Sequence, residues 1–217
     1  MCTRYYFDNS KAELSEYYEA ATNSPIGQKF AMELCKPVKD SGEIRPTDVV
    51  PVLAPNKDGE PSVFAMKWGF TAELPKSSNT GNKGSLIVNA RVETADSKPS
   101  FKDLWVQRRC IIPCSYYFEW KHVKDDTTEK VITKEKYLIQ PSGADITYLA
   151  GLYRIEGGYP VFVVLTCPPT PELSKIHDRM PVLLPKEHIE EWIRPKTNPA
   201  EIIPYRIQDT YMEEAGS

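Results

Sequence analysis

The chain has 217 residues, with 27 Lys and Arg against 30 Asp and Glu (net charge −3), 41% hydrophobic and 26% charged residues. Such a composition and length suit an ordinary globular protein with one substantial core, and exclude global disorder and a chain-wide basic field for nucleic acid. No run approaches the roughly 20 apolar residues of a membrane helix, and the start, with Arg4, Asp8, Lys11 and Glu13, lacks an apolar signal-peptide core, so a cytoplasmic protein is expected.

In chain order, residues 3–7 form an aromatic-rich strand. Ser10 with Glu13 three residues on reads as a capping box, and Leu14, Tyr17, Tyr18 and Ala21 follow at helical spacing. Strands come next at 49–53 and 62–70 around the turn Lys57-Asp58-Gly59-Glu60, then at 85–90 and 109–114. The tract 121–136 is mostly charged and polar, a solvated hairpin or loop. Further strands lie at 136–140, 147–153 and 160–166, the last two around Glu156-Gly157-Gly158. Thr170-Pro171-Glu172 and Asn198-Pro199-Ala200-Glu201 each place a cap before a first-turn proline, 186–193 is a short amphipathic helix, and the acidic tail 209–217 frays. Strands do not alternate with helices of crossover length. The expected fold is therefore α+β, a single domain over residues 1–217 with a mainly antiparallel, barrel-like β-sheet core and short peripheral helices.

Five cysteines in a long, non-secreted chain argue against a disulfide framework. Cys110 and Cys114, separated by Ile111-Ile112-Pro113 in a chain with three histidines, do not match zinc spacings, and Cys110 reads as a small core residue. Neither a metal nor a cofactor is expected. A Gly-rich phosphate loop, a His-Glu-x-x-His helix and a Gly-x-Ser-x-Gly elbow are all missing.

Cys2 is different because it follows Met1. With Met1 removed, one residue carries both an α-amine and a thiol. The amine, with a pKa near ~7.7–8.0, is partly unprotonated at neutrality and attacks an aldehyde to give a Schiff base. The thiol, held beside that nitrogen, then closes a five-membered thiazolidine with high effective molarity. The plainer reading is an inert residue tucked against the first strand. Three further clusters bear on the choice. Asn89-Ala90-Arg91-Val92-Glu93-Thr94 ends an apolar strand. Pro113-Cys114-Ser115-Tyr116-Tyr117-Phe118-Glu119-Trp120 sets one carboxylate in an aromatic run, where desolvation raises its pKa towards neutrality unless it is an exposed strand residue. His177-Asp178-Arg179-Met180-Pro181 brings an imidazole beside a guanidinium, although a lone histidine is usually a structural one. His122 and His188 read as surface residues.

Together with Met1-Cys2-x-Arg4, Pro46-Thr47, Pro51-Val52, Trp68-Gly69, Lys98-Pro99-Ser100-Phe101 and Arg108-Arg109-Cys110, these clusters resemble the SRAP family (SOS-response-associated peptidase), in order from residue 1 to about residue 185. Thr3 and Tyr116 stand where the family usually has glycine, and the polar tract after Trp120 is longer than usual. The resemblance implies a sensor of abasic sites in single-stranded DNA. Its mature Cys2 would crosslink to the open-chain sugar aldehyde as a thiazolidine and shield the lesion during the DNA damage response. Carried over by position, Cys2 is the nucleophile, Glu119 the proton shuttle for sugar ring opening and crosslink reversal, Asn89 the group that positions the sugar, and His177 an aid to proton transfer at the Schiff base. The same residues would release Met1. The expected partner is single-stranded DNA with abasic sites, bound by a monomer that is nucleoid-associated while bound. Its phosphates call for a local cationic track of Arg4, Arg91 and Arg179, extended by Lys102, Arg108 and Arg109. Pro46 and Thr166 complete the contact set, and Trp68 would stack on or wedge beside a base; the plainer readings are ion pairs and a core aromatic. One rival is a cysteine peptidase with Cys2 as nucleophile, His177 as base and Glu119 as orienter. Another is a non-catalytic single-strand-binding module with an inert Cys2. Retained Met1 is expected to occlude the place of the sugar aldehyde.

Overall fold

The structure is a computed structural model that describes residues 2–72, 85–124 and 131–216. Strand β1 (Tyr5–Phe7) buries Tyr5 and Phe7 around half-buried Tyr6, the alternation a pleated strand requires. Helix α1 (Ala12–Asn23) follows without the expected capping box. The Ser10 hydroxyl donates to Asp8 at 2.6 Å, Lys11 takes the cap position, and Glu13 instead accepts from Tyr17 and Tyr148 and pairs with Lys186. Helix α2 (Pro25–Leu34), not among the expected elements although Ile26, Phe30 and Leu34 recur every fourth residue, starts where Ser24 Oγ accepts the Gly27 N–H at 3.0 Å ahead of Pro25. Ser24→Ala is expected to cost about 1 kcal/mol, read as a lower urea midpoint at constant m value. An unchanged midpoint would mean that the cap carries no weight.

The chain continues through β2 (Gly42–Ile44), β3 (Val49–Pro55), β4 (Pro61–Trp68), the short pair β5 (Phe70–Thr71) and β6 (Leu86–Ile87), and β7 (Asn89–Arg91). The single strand expected over 62–70 breaks at Gly69, whose φ of +111° suits glycine and whose Cβ, if present, would meet Leu86 at 2.8 Å. Short helices α3 (Val92–Ala95) and α4 (Lys102–Gln107) lead into β8 (Arg109–Cys114), which has the expected bounds. Then come β9 (Tyr116–Lys124), β10 (Val131–Pro141), β11 (Thr147–Glu156), β12 (Tyr159–Cys167), β13 (Met180–Pro181), helices α5 (Ile189–Ile193) and α6 (Pro199–Ile202), and β14 (Thr210–Glu214).

Five strands close on themselves in the order β11–β8–β3–β4–β12 and back to β11; all neighbours are antiparallel except β4 with β12. Closure removes sheet edges, and β8, walled on both sides, is buried at every position. A second, wholly antiparallel sheet, β14–β10–β9–β1–β2, lies beside the barrel and is linked to it by the Ser115 N–H bond to the Tyr6 carbonyl, 2.9 Å. The fold is α+β, with a mainly antiparallel, barrel-like core and short helices around it.

Of the two readings of the polar tract 121–136, β9 and β10 give the hairpin, with Lys121 paired with Glu135; residues 125–130 lie outside the described ones. Other local expectations change. The tail expected to fray supplies β14, because its backbone completes the edge of β10. Thr170-Pro171-Glu172 opens only a single 3-10 turn, Leu173–Lys175, whereas Asn198 caps α6 by accepting the Ala200 N–H at 3.1 Å. Arg109 was expected on the cationic track but is fully buried. Its guanidinium donates to the carbonyls of Trp105, Val106, Trp192, Arg194 and Thr197, tying α4 and α5 to the barrel. Burial lowers its pKa to about 10, which still leaves it charged at neutrality. Among the described residues, no helix is long and apolar enough to cross a membrane.

Candidate functional site

β1 runs antiparallel to β9 with Tyr5 opposite Tyr117, and the Phe118 N–H donates to the Arg4 carbonyl at 2.9 Å. Extending that register toward the chain start brings Cys2 alongside the Glu119 stretch. β7 lies parallel to the end of β12, Asn89 opposite Val164, and β13 pairs with the last residues of β12 just after His177. Residues from four distant parts of the chain therefore meet at one end of the barrel. Asn89 Nδ2 donates to the Cys2 carbonyl at 2.9 Å, and His177 Nε2 lies 3.8 Å from Glu119 Oε2.

Cys2 is fully buried, its Sγ 3.9 Å from the Arg4 carbonyl. Burial, and then the nearby Glu119 charge, push the thiol pKa far above its ordinary value. This thiol is therefore neutral at pH 7, and its proton must be taken by a partner when sulfur reacts. Glu119 is 3% exposed, in a stretch of β9 (Tyr117, Phe118, Glu119) that is covered on both faces. Burial raises its pKa to about 7, with Asp178 adding to the rise, so it exchanges a proton readily near neutrality. Burial also lowers the His177 pKa and keeps the ring neutral. Its Nδ1 faces both the Arg179 N–H at 3.0 Å and Asp178 Oδ1 at 2.9 Å, while its Nε2 is turned towards Glu119.

The proposed DNA contacts are placed less uniformly. Arg91 and Lys102 are exposed. Arg4 pairs at 2.9 Å with Glu43, which also receives Arg45 and Lys136 and whose pKa falls to about 2, chiefly through the Lys136 bond. Arg179 grips both oxygens of Glu93 and donates to the Thr166 carbonyl at 2.7 Å. Thr166 itself is buried and supports Arg179 from beneath, so it does not face a ligand. Trp68 is likewise no base wedge. It is fully buried, stacks with Phe162 and donates Nε1–H to the Val88 carbonyl at 3.0 Å. Arg108 lies towards the other end of the barrel, over the Tyr153 ring at 5.9 Å. Pro46 is half-buried, beside Thr47 at φ +79°. Met1 lies outside the described residues. Glu43 and Glu93, which hold the two arginines, carry no role in the motif reading; Glu93 stands inside a quoted motif, but nothing local marks Glu43.

A family profile described as SOS response associated peptidase (SRAP) matches residues 1–214. The chain is 32% identical over 183 residues to the abasic site processing protein YoaM of Bacillus subtilis, covering 77% of each. It is 32% identical to abasic site processing protein YoqW of the same species over 66% of this chain and 62% of that one. Abasic site processing protein YedK of Escherichia coli is 33% identical over 112 residues, 50% of this chain and 47% of its own. Among solved structures, a protein from Bacteroides thetaiotaomicron superposes on the whole chain and on 93% of its own, with a TM-score of 0.70 at 20% identity, a likeness of fold.

Proposed function

Because the chain belongs to the SOS response associated peptidase family, we propose that it processes abasic sites in single-stranded DNA by capturing the lesion covalently on Cys2. Once Met1 is gone, the Cys2 amine adds to the sugar aldehyde and the carbinolamine loses one water to give the imine. Sulfur then bonds to the imine carbon while the thiol proton ends on nitrogen, closing the thiazolidine. No oxidant or reductant enters. Glu119 moves the protons, Asn89 positions the sugar, and His177 assists at the imine stage. Arg4, Arg91, Arg179 and Lys102 supply the local positive charge that a phosphate backbone needs. The reading carries with it a monomer acting without metal or cofactor, in the cytoplasm and on the nucleoid while bound.

The observation that carries it is the convergence of a neutral-range carboxyl, an uncharged imidazole and an amide on the one cysteine that follows Met1. The test mixes a chain starting at Cys2 with a single-stranded oligonucleotide carrying an abasic site, and with the same strand intact. A species that survives denaturing electrophoresis is expected only with the lesion, and not after borohydride has reduced the aldehyde to an alcohol. No adduct, or an equal adduct with the intact strand, overturns the proposal.

A second reading is peptidase action on the Met1–Cys2 bond. The carboxyl of Glu119 close to Cys2, with His177 beside that carboxyl, favours it, since the bond to be cut is the amide of Cys2 itself.

A further inference from the structure

β12 runs from Pro160 to the covalent site, where Thr166 lies opposite Arg91 and Pro181. At its other end the five barrel strands form a mouth, and a cavity of about 550 Å³ opens there, walled by Ile26, Phe64, Met66, Tyr153, Ile155 and Pro160. Ile155 is 53% exposed, so an apolar wall stays open to solvent.

The charged residues that line this mouth have one sign. Arg108 and Lys57 line it and are exposed, and no carboxylate is among the described residues that line it. Arg154, next to Tyr153 on β11, is neutralised by Glu156 at 2.6 Å. Arg108 and Lys57, by contrast, make no ion pair with a described residue. Beyond the lining, Lys29 Nζ lies over the Tyr159 ring at 4.6 Å and 3.4 Å from where a Cβ on Gly158 would sit, and the hydroxyl of the same tyrosine donates to Glu33.

We propose that the barrel mouth is a second binding site, for a small amphipathic anion. The apolar or aromatic body fills the cavity, and one carboxylate, sulfonate or phosphate meets Arg108 and Lys57. The volume falls within the ~300–1,000 Å³ typical of small-molecule sites, and barrel mouths are among the places where such sites form. A guanidinium without a carboxylate partner, above apolar walls, strengthens a charge-assisted contact because little competing protein charge must be displaced.

The test titrates the full chain with 1-anilinonaphthalene-8-sulfonate, using its fluorescence. Saturation at one probe per chain is expected, with affinity falling at least fivefold in the double variant Arg108→Gln, Lys57→Gln. Near-UV circular dichroism confirms that this variant is folded. The uncharged analogue N-phenyl-1-naphthylamine, measured on the parent chain, should bind at least fivefold more weakly. Cys2→Ala should bind the sulfonate as the parent does. Non-saturable binding, equal affinity for the charged and uncharged probes, or loss of binding in Cys2→Ala overturns the proposal.

Discussion

A Cys2→Ser chain, prepared without Met1, is expected to lose the denaturation-stable adduct with abasic DNA by on the order of a thousandfold or more, while still giving an imine that borohydride traps. Serine keeps the α-amine, so the first bond can form. It replaces the thiol by a hydroxyl, a far weaker nucleophile, so the ring closure that draws on high effective molarity fails. Cys2→Ala should behave in the same way, which separates the work of nitrogen from that of sulfur. Stable adduct at the parental level in either variant would move the chemistry to another residue. Burial of the thiol strengthens the argument. A sulfur whose pKa is pushed far up by its surroundings does not attack first as a thiolate. The amine leads, and the sulfur reacts only after the imine carbon is in place beside it.

Much of this was legible in the sequence because it depends on short-range pattern. The aromatic run around Glu119 marks a strand stretch covered on both faces, which is what desolvates the carboxyl; the run alone left open whether Glu119 was buried or exposed. Most barrel strands could be placed to within a few residues from short-range pattern. The residue types that misled are those whose surroundings come from far along the chain. Arg109 looks like a surface cation until five carbonyls from the ends of α4 and α5, up to 88 residues away, enclose it. Trp68 looks available for stacking until β12 supplies Phe162 against its face. Closure of the barrel depends on the parallel pairing of Val161 with Lys67, which no local signal encodes. Helix α2 was legible too, with a proper start in Ser24-Pro25 and Ile26, Phe30 and Leu34 at helical spacing; Gly27, a poor helix former, is there because a Cβ would collide with the Ala21 carbonyl where α2 packs on α1.

Replacing Glu119 by glutamine is expected to slow crosslinking by about a hundredfold or more, the range that a positioned proton donor supplies, and to change the shape of the pH profile. In the parent, capture needs a free amine, gained as pH rises towards ~8. It also needs the acid form of Glu119, which is lost as pH rises through about 7. The product of these two fractions is a bell with its maximum between the two values. Glutamine neither gains nor loses a proton in this range, so the variant should rise with pH to a plateau and show no alkaline fall. This profile is measured on chain freed of Met1 by added methionine aminopeptidase. The same variant, made in cells without that enzyme, decides the peptidase reading by intact mass. If Glu119 drives release of Met1, the variant retains it while the parent does not. Complete processing of the variant removes Glu119 from that step, and an alkaline limb that persists removes it from crosslinking. The two outcomes are independent, because one reports cleavage of an amide before the aminothiol exists and the other reports capture of an aldehyde by the aminothiol once formed.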